Sequence, residues 1–103
     1  VGQKLTTNVE YTLVASDSSK QVEAVTFGSI IVPASTFSEG DVITVVNNGR
    51  GNVNVDCSLI TTSYQSGINT DISRAKIPPR GIITIMFIDS TTCILSGNII
   101  EVE

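Results

Sequence analysis

Gly51-Asn52-Val53-Asn54-Val55-Asp56-Cys57-Ser58-Leu59 sets Val53, Val55, Cys57 and Leu59 in strict alternation with Asn52, Asn54, Asp56 and Ser58. Successive side chains of a strand point to opposite faces, so this segment reads as a strand with one dry side and one wet side. Just before it, Asp41-Val42-Ile43-Thr44-Val45-Val46-Asn47 is apolar on both parities and reads as a strand buried on both faces. The run Asn47-Asn48-Gly49-Arg50-Gly51 between them contains residues that tolerate positive φ. A hairpin is therefore expected here.

Working outward, strands are expected from Glu10 to Ala15, stopped by Ser16-Asp17-Ser18-Ser19, and from Lys20 to Thr26, stopped near Gly28. Ser29 to Val32 is a short strand ended by Pro33. Gly81 to Ile88 is strongly apolar, Asp89-Ser90-Thr91 is a turn, and Cys93 to Leu95 leads through Gly97 into Ile99 to Val102. Thr61 to Ile77 reads as a long loop carrying one or two short strands. The chain has 26 Val and Ile against 8 Leu and Ala, with 12 Thr besides, and such stiff β-branched side chains favour the pleated surface over helix. The expected fold is all-β: a single-domain β-sandwich or jelly-roll-like barrel of about eight strands, mostly antiparallel. Residues 9–103 form that domain, and residues 1–8, polar and strand-poor, form an N-terminal arm or a frayed segment.

The 103 residues suffice for one core, and 41% apolar with 16% charged residues is the balance of a chain that folds. The net charge is −4, and Lys4, Lys20, Arg50, Arg74, Lys76 and Arg80 are scattered apart from a loose group at 74–80. Nucleic acid is not an expected partner, because phosphate binding needs a concentrated basic footprint. Apolar runs such as Ile85-Met86-Phe87-Ile88 fall far short of the ~20 residues that cross a bilayer, so no membrane span is expected. The opening residues carry one lysine and no apolar core segment, so no secretory signal is expected within the given chain. Cys57 and Cys93 are too few for a disulfide scaffold and read first as buried small hydrophobes, with a disulfide between them the second possibility.

With no histidine, the chain cannot supply a Ser-His-Asp or Cys-His nucleophile, nor the commonest metal ligand. Glu10, Asp17, Glu23, Glu39, Asp41, Asp56, Asp71, Asp89, Glu101 and Glu103 lie mostly at expected turns and strand ends, where carboxylates serve as solvated turn formers. A calcium site at Asp17-Ser18-Ser19 lacks the spaced oxygen ligands of an EF-hand loop. Gly49-Arg50-Gly51 is followed by a strand and not by the helix a phosphate loop needs. Tyr64, in a polar segment, is the one aromatic placed to act as a stacking platform, against the plainer and favoured reading of an ordinary half-buried tyrosine. No enzyme, cofactor, metal or catalytic residue is expected, and no partner-binding residue is assigned.

The segments EYTLVASDSSKQVEAV, SIIVPASTFSEGDVITVVNNGRGNVNV and IPPRGIITIMFIDSTTCILSG resemble a small β-domain of tailed-bacteriophage virion proteins, of the capsid decoration, head-fibre and tail-fibre type. The resemblance covers roughly residues 9 to 98. Its marks are Tyr11-Thr12-Leu13 leading to Asp17, Ile30-Ile31-Val32-Pro33, the Glu39-Gly40-Asp41 approach to a hydrophobic strand, the Asn/Gly run from Asn47 to Asn52, and Ile94-Leu95-Ser96-Gly97. Cys93 departs from the pattern, which commonly has Trp there. The resemblance implies a noncatalytic virion structural protein: a capsid decoration, or cement, protein that binds the assembled major capsid protein lattice at the capsid surface. Such a protein stabilises the shell because it binds the lattice and not free subunits. A homotrimer is the favoured assembly, since capsid and fibre sites often have threefold symmetry. The alternative is a tail-fibre or head-fibre domain that binds a host receptor or carbohydrate. A glycan-degrading enzyme would need two facing carboxylates. The paired isoleucines Ile82-Ile83 and Ile99-Ile100 point to strands covered on both sides, by the core on one and by a partner or another part of the domain on the other.

Overall fold

β-Branched side chains cannot all turn inward from one strand, so a small β-rich chain buries them by facing two sheets together. In the computed structural model, which describes residues 3–5, 10–24 and 28–103, the strands do this by alternating between two layers. They are β1 (Gln3–Leu5), β2 (Glu10–Thr12), β3 (Gln21–Ala24), β4 (Gly28–Ile31), β5 (Val42–Asn47), β6 (Val53–Asp56), β7 (Thr62–Gln65), β8 (Arg74–Ile77), β9 (Ile82–Asp89), β10 (Thr92–Gly97) and β11 (Glu101–Val102). One sheet runs β1-β3-β5-β9-β10-β7 and the other β11-β8-β6-β4-β2. The fold is thus an all-β sandwich of two mixed sheets, and the barrel alternative falls away.

From β1 to β6 the chain crosses to the other layer after every strand. The odd strands pair in parallel with one another in the first sheet, and the even ones do so in the second. A parallel neighbour needs a crossover, and here the opposite sheet supplies it in place of a helix. The expectation of mostly antiparallel pairing is corrected: of nine ladders, five are parallel, the fifth joining β10 to β7. Among the described residues there are eleven strands where about eight were expected, because each winding adds short strands that a single sequence pattern merges into loops. Thr61 to Ile77 does carry two short strands, β7 and β8. The Asp89-Ser90-Thr91 turn does close an antiparallel hairpin, β9 to β10.

The hairpin expected at 47–51 is a corner. β5 lies in the first sheet and β6 in the second. A two-residue hairpin needs positive φ, yet none of residues 47–51 has it. The buried Asn47 side chain instead bridges the layers. Its Nδ2 donates to Gly51 O at 2.8 Å and to Ile77 O and Pro78 O at 3.0 Å, while its Oδ1 accepts the Gly49 N–H at 3.1 Å.

The core is the inward set Val22, Ile30, Ile43, Val45, Val53, Val55, Ile77, Ile83, Ile85 and Leu95, closed at one end by Phe37 stacked on Phe87 with ring centroids 4.5 Å apart. The 51–59 alternation holds through Cys57 and then stops. Asp56 Oδ1 accepts the Ser58 N–H at 2.9 Å, turning the chain, so Leu59 faces solvent instead of the core. On β5 only the Ile43, Val45, Asn47 side is buried, and Val42 and Val46 are half-exposed, so that strand is not buried on both faces as expected. Within the segment read as an arm, residues 3–5 run along β3 as edge strand β1. The rest of the segment, like residues 25 and 26 of the strand expected from Lys20 to Thr26, lies outside the described residues.

Candidate functional site

Strand alternation gives each sheet an outward face, and the two outward faces differ in chemistry. On the five-stranded sheet the register sets Glu10, Ser29, Asn54, Lys76 and Glu101 in one row and Thr12, Ile31, Asp56 and Arg74 in the next. Opposite charges sit side by side there. Lys76 Nζ lies 3.0 Å from Glu101 Oε1, an exposed pair that contributes little to stability.

On the six-stranded sheet Glu23 of β3 stands outward beside Val46, and the four strands from β5 onward are the reverse. Their register aligns Val42, Met86, Ile94 and Tyr64 across β5, β9, β10 and β7, then Thr44, Thr84 and Ser96, then Val46 and Ile82. Ile82, Met86 and Ile88 are 48, 46 and 42% exposed, although their neighbours Ile83, Ile85 and Phe87 are fully buried. Between Val42 and Gln65 along these four strands the rows hold no charge. Single exposed apolar residues are ordinary on a protein surface, but a contiguous neutral band across four strands marks a contact surface.

At the β7 side this band opens into a cleft of about 260 Å³ lined by Tyr64, Gln65, Gly67, Ile68, Asn69 and Ile94. Ile68 is half-exposed at its rim. Positive φ at Gly67 permits the tight turn that places Ile68 there, beside the bridge between Tyr64 and Asp71. Tyr64, the aromatic singled out from sequence, is half-buried, as the plainer reading has it, and forms a wall of the cleft outside the core cluster. The other residues of the face were within reach of the sequence: Ile82 next to Ile83, and Met86 and Ile88 alternating with Ile85 and Phe87, give β9 apolar residues on both sides. What sequence could not supply was that Ile94 and Tyr64 lie beside Met86, because that depends on which strands are neighbours.

The carboxylates mostly shape turns. Asp89 Oδ1 accepts from the Thr91 N–H and hydroxyl, and those bonds hold its pKa low; the Ser58 hydrogen bonds do the same for Asp56. Asp41 ties two loops by accepting from Ser18 Oγ and the Ser38 N–H, both at 2.9 Å. Asp17 differs from the solvated turn former expected. It is fully buried, accepting from Tyr11 OH at 2.8 Å and the Val14 N–H at 2.9 Å, so Asp17-Ser18-Ser19 presents no such carboxylate to a cation. Among the described residues no three His, Cys, Asp or Glu side chains are grouped to hold a metal ion. A second cleft, lined by Gln65, Ile99, Ile100, Glu101 and Val102, contains one carboxylate and the first contains none. Gly49-Arg50-Gly51 is the corner described above, and Cys57 and Cys93 are both buried and free.

None of the family models, curated proteins or solved structures compared with the chain matches it.

Proposed function

We propose that this protein is a noncatalytic docking module that seats the uncharged β5-β9-β10-β7 part of its six-stranded sheet's outer face on a partner protein, leaving the charged five-stranded face in water. The asymmetry of the two faces carries this reading. Interface centres are depleted in charge and enriched in Met and aromatic residues, as the Val42, Met86, Ile94, Tyr64 row is. The absence of basic side chains from the Val42, Met86, Ile94, Tyr64 row and its neighbours on these four strands favours a protein over a nucleic acid as the partner.

The resemblance to tailed-phage virion domains supplies the partner's identity: the assembled major capsid protein lattice, decorated at its surface by this domain, as a homotrimer. The test is co-sedimentation with undecorated tailed-phage capsids, scored by saturation and by the melting temperature of the shell. Saturable binding that raises the shell's melting temperature and is lost in Met86→Glu supports the reading. Absence of binding by a folded protein overturns the capsid assignment.

The Tyr64 cleft favours a second reading, a fibre domain that binds host carbohydrate. An aromatic wall beside the amides of Gln65 and Asn69 is the chemistry a sugar ring needs. Glycan-array binding that disappears in Tyr64→Ala would support it, and an array without hits would remove it.

A further inference from the structure

Cys57 and Cys93 belong to opposite layers, and the chain between them is folded so as to bring them together. Cys57 directly follows β6 in the five-stranded sheet, whereas Cys93 is an inward residue of β10 in the six-stranded one. A turn closed by the Ile60 N–H donating to Cys57 O at 3.2 Å sends the chain across to β7. There Ser63, inward and buried, lies in register beside Cys93, and its hydroxyl donates to Ile72 O, pinning the corner. The Cys57 side chain is therefore set near both Ser63 and Cys93, all three buried between the sheets. Both sulfurs are free and essentially without solvent exposure.

We propose that Cys57 and Cys93 form a cross-sheet disulfide site, closed by exchange with a small-molecule disulfide while the chain folds. The thiolate of either cysteine attacks one sulfur of the small disulfide, whose S–S bond breaks and releases one thiolate. The thiol of the other cysteine then loses its proton and attacks the protein sulfur of the mixed disulfide, expelling the second thiolate. Two protein thiols are oxidised, one small disulfide is reduced to two thiols, and the two protons end on those thiols.

Contact with the Cys93 thiol lowers the Cys57 pKa against the opposing effect of burial, and the same contact raises that of Cys93. In the finished fold neither sulfur is accessible, so the reduced domain is inert to the same oxidant and exchange belongs to folding. The bond would link the two sheets directly and close a loop that contains β7, β8 and β9.

The test is to refold the unfolded, reduced protein in a mixture of reduced and oxidised glutathione, and in parallel with excess reductant. Peptide mapping by mass spectrometry and the thermal midpoint are read on both. The expected result is a Cys57–Cys93 cross-linked peptide in most of the oxidised sample, a native β spectrum, and a midpoint higher by about 10 °C. A double variant, Cys57→Ala with Cys93→Ala, is expected to show no difference between the two conditions. Free thiols in the protein refolded with glutathione would overturn the proposal. So would a cross-linked product that melts lower, aggregation confined to the oxidised sample, or an equal rise in the double variant.

Discussion

The Asn47 side chain, at the end of a strand in one sheet, donates to the Ile77 carbonyl at the end of a strand in the other, 3.0 Å away and fully buried. The same amide reaches Pro78 O and Gly51 O, so one of its two hydrogens is shared between acceptors. Replacing Asn47 by Ala leaves buried carbonyls without a donor, and unfolding stability is expected to fall by about 2–4 kcal/mol. Asn47→Asp should cost more, since it turns an acceptor toward carbonyls. Urea denaturation checks this, read as a shift of midpoint at constant slope; a loss under about 0.5 kcal/mol for Ala would mean the bridge is dispensable.

Tyr11 makes stability depend on alkaline pH. Burial, the hydrogen bond to Asp17 and the Asp17 charge push its pKa up from 10.0 to about 12. The unfolded chain gives up this proton near pH 10 while the folded one keeps it to about 12. The contribution is therefore fully present below pH 10 and is lost as pH rises from there toward 12. Denaturant midpoints between pH 8 and 12 should fall more steeply for the wild type than for Tyr11→Phe, which shares every lysine. Parallel curves would contradict the assignment.

Gly97 ends β10 with φ +121°, and a Cβ there would stand 2.9 Å from Ile83 Cα. The backbone crosses this closely because the Asn98 N–H donates to Ile82 O at 3.0 Å and Asn98 Oδ1 accepts the Ile82 N–H at 3.1 Å. Gly97→Ala is expected to cost more than about 2 kcal/mol, from strain and from backbone displacement together. Thermal unfolding measures it, with Gly40→Ala as the comparison: a positive φ of 88° but open space around it.

Met86 is central on the outward face yet half-exposed, so it holds little of the core. Met86→Thr keeps the strand preference and should change stability by less than about 0.5 kcal/mol. Loss of partner binding or of self-association, followed by analytical ultracentrifugation, should accompany that unchanged stability. A variant that destabilises the domain while leaving association intact would show that the face serves folding and not docking.

The parts of this protein legible in its sequence were those set by side-chain period. Val53 to Cys57 reads as a half-wet strand because alternation is local, and the apolar parities of β9 are visible for the same reason. Tyr64 stood out because an aromatic in a polar segment has no core period to belong to. Asn47 was misread: an asparagine beside glycines is usually chosen for turn geometry, and nothing local reveals that its amide is aimed at carbonyls thirty residues away. Asp17 was misread likewise, since a turn aspartate is ordinarily solvated and nothing in the pattern shows that the turn folds its carboxylate inward onto Tyr11 OH and the Val14 N–H.

By itself, then, the sequence determined that the chain is all-β, which residues from Val53 to Cys57 and along β9 share a face, and that it lacks histidine chemistry. Only the tertiary structure decided which sheet each strand joins, that neighbours from β1 to β6 run parallel, and that Val42, Met86, Ile94 and Tyr64 form one row. The physical reason is that alternation specifies the face of a residue but carries no information about its neighbouring strand. That choice is made by long-range hydrogen bonds and core packing, which exist only once the two sheets have met.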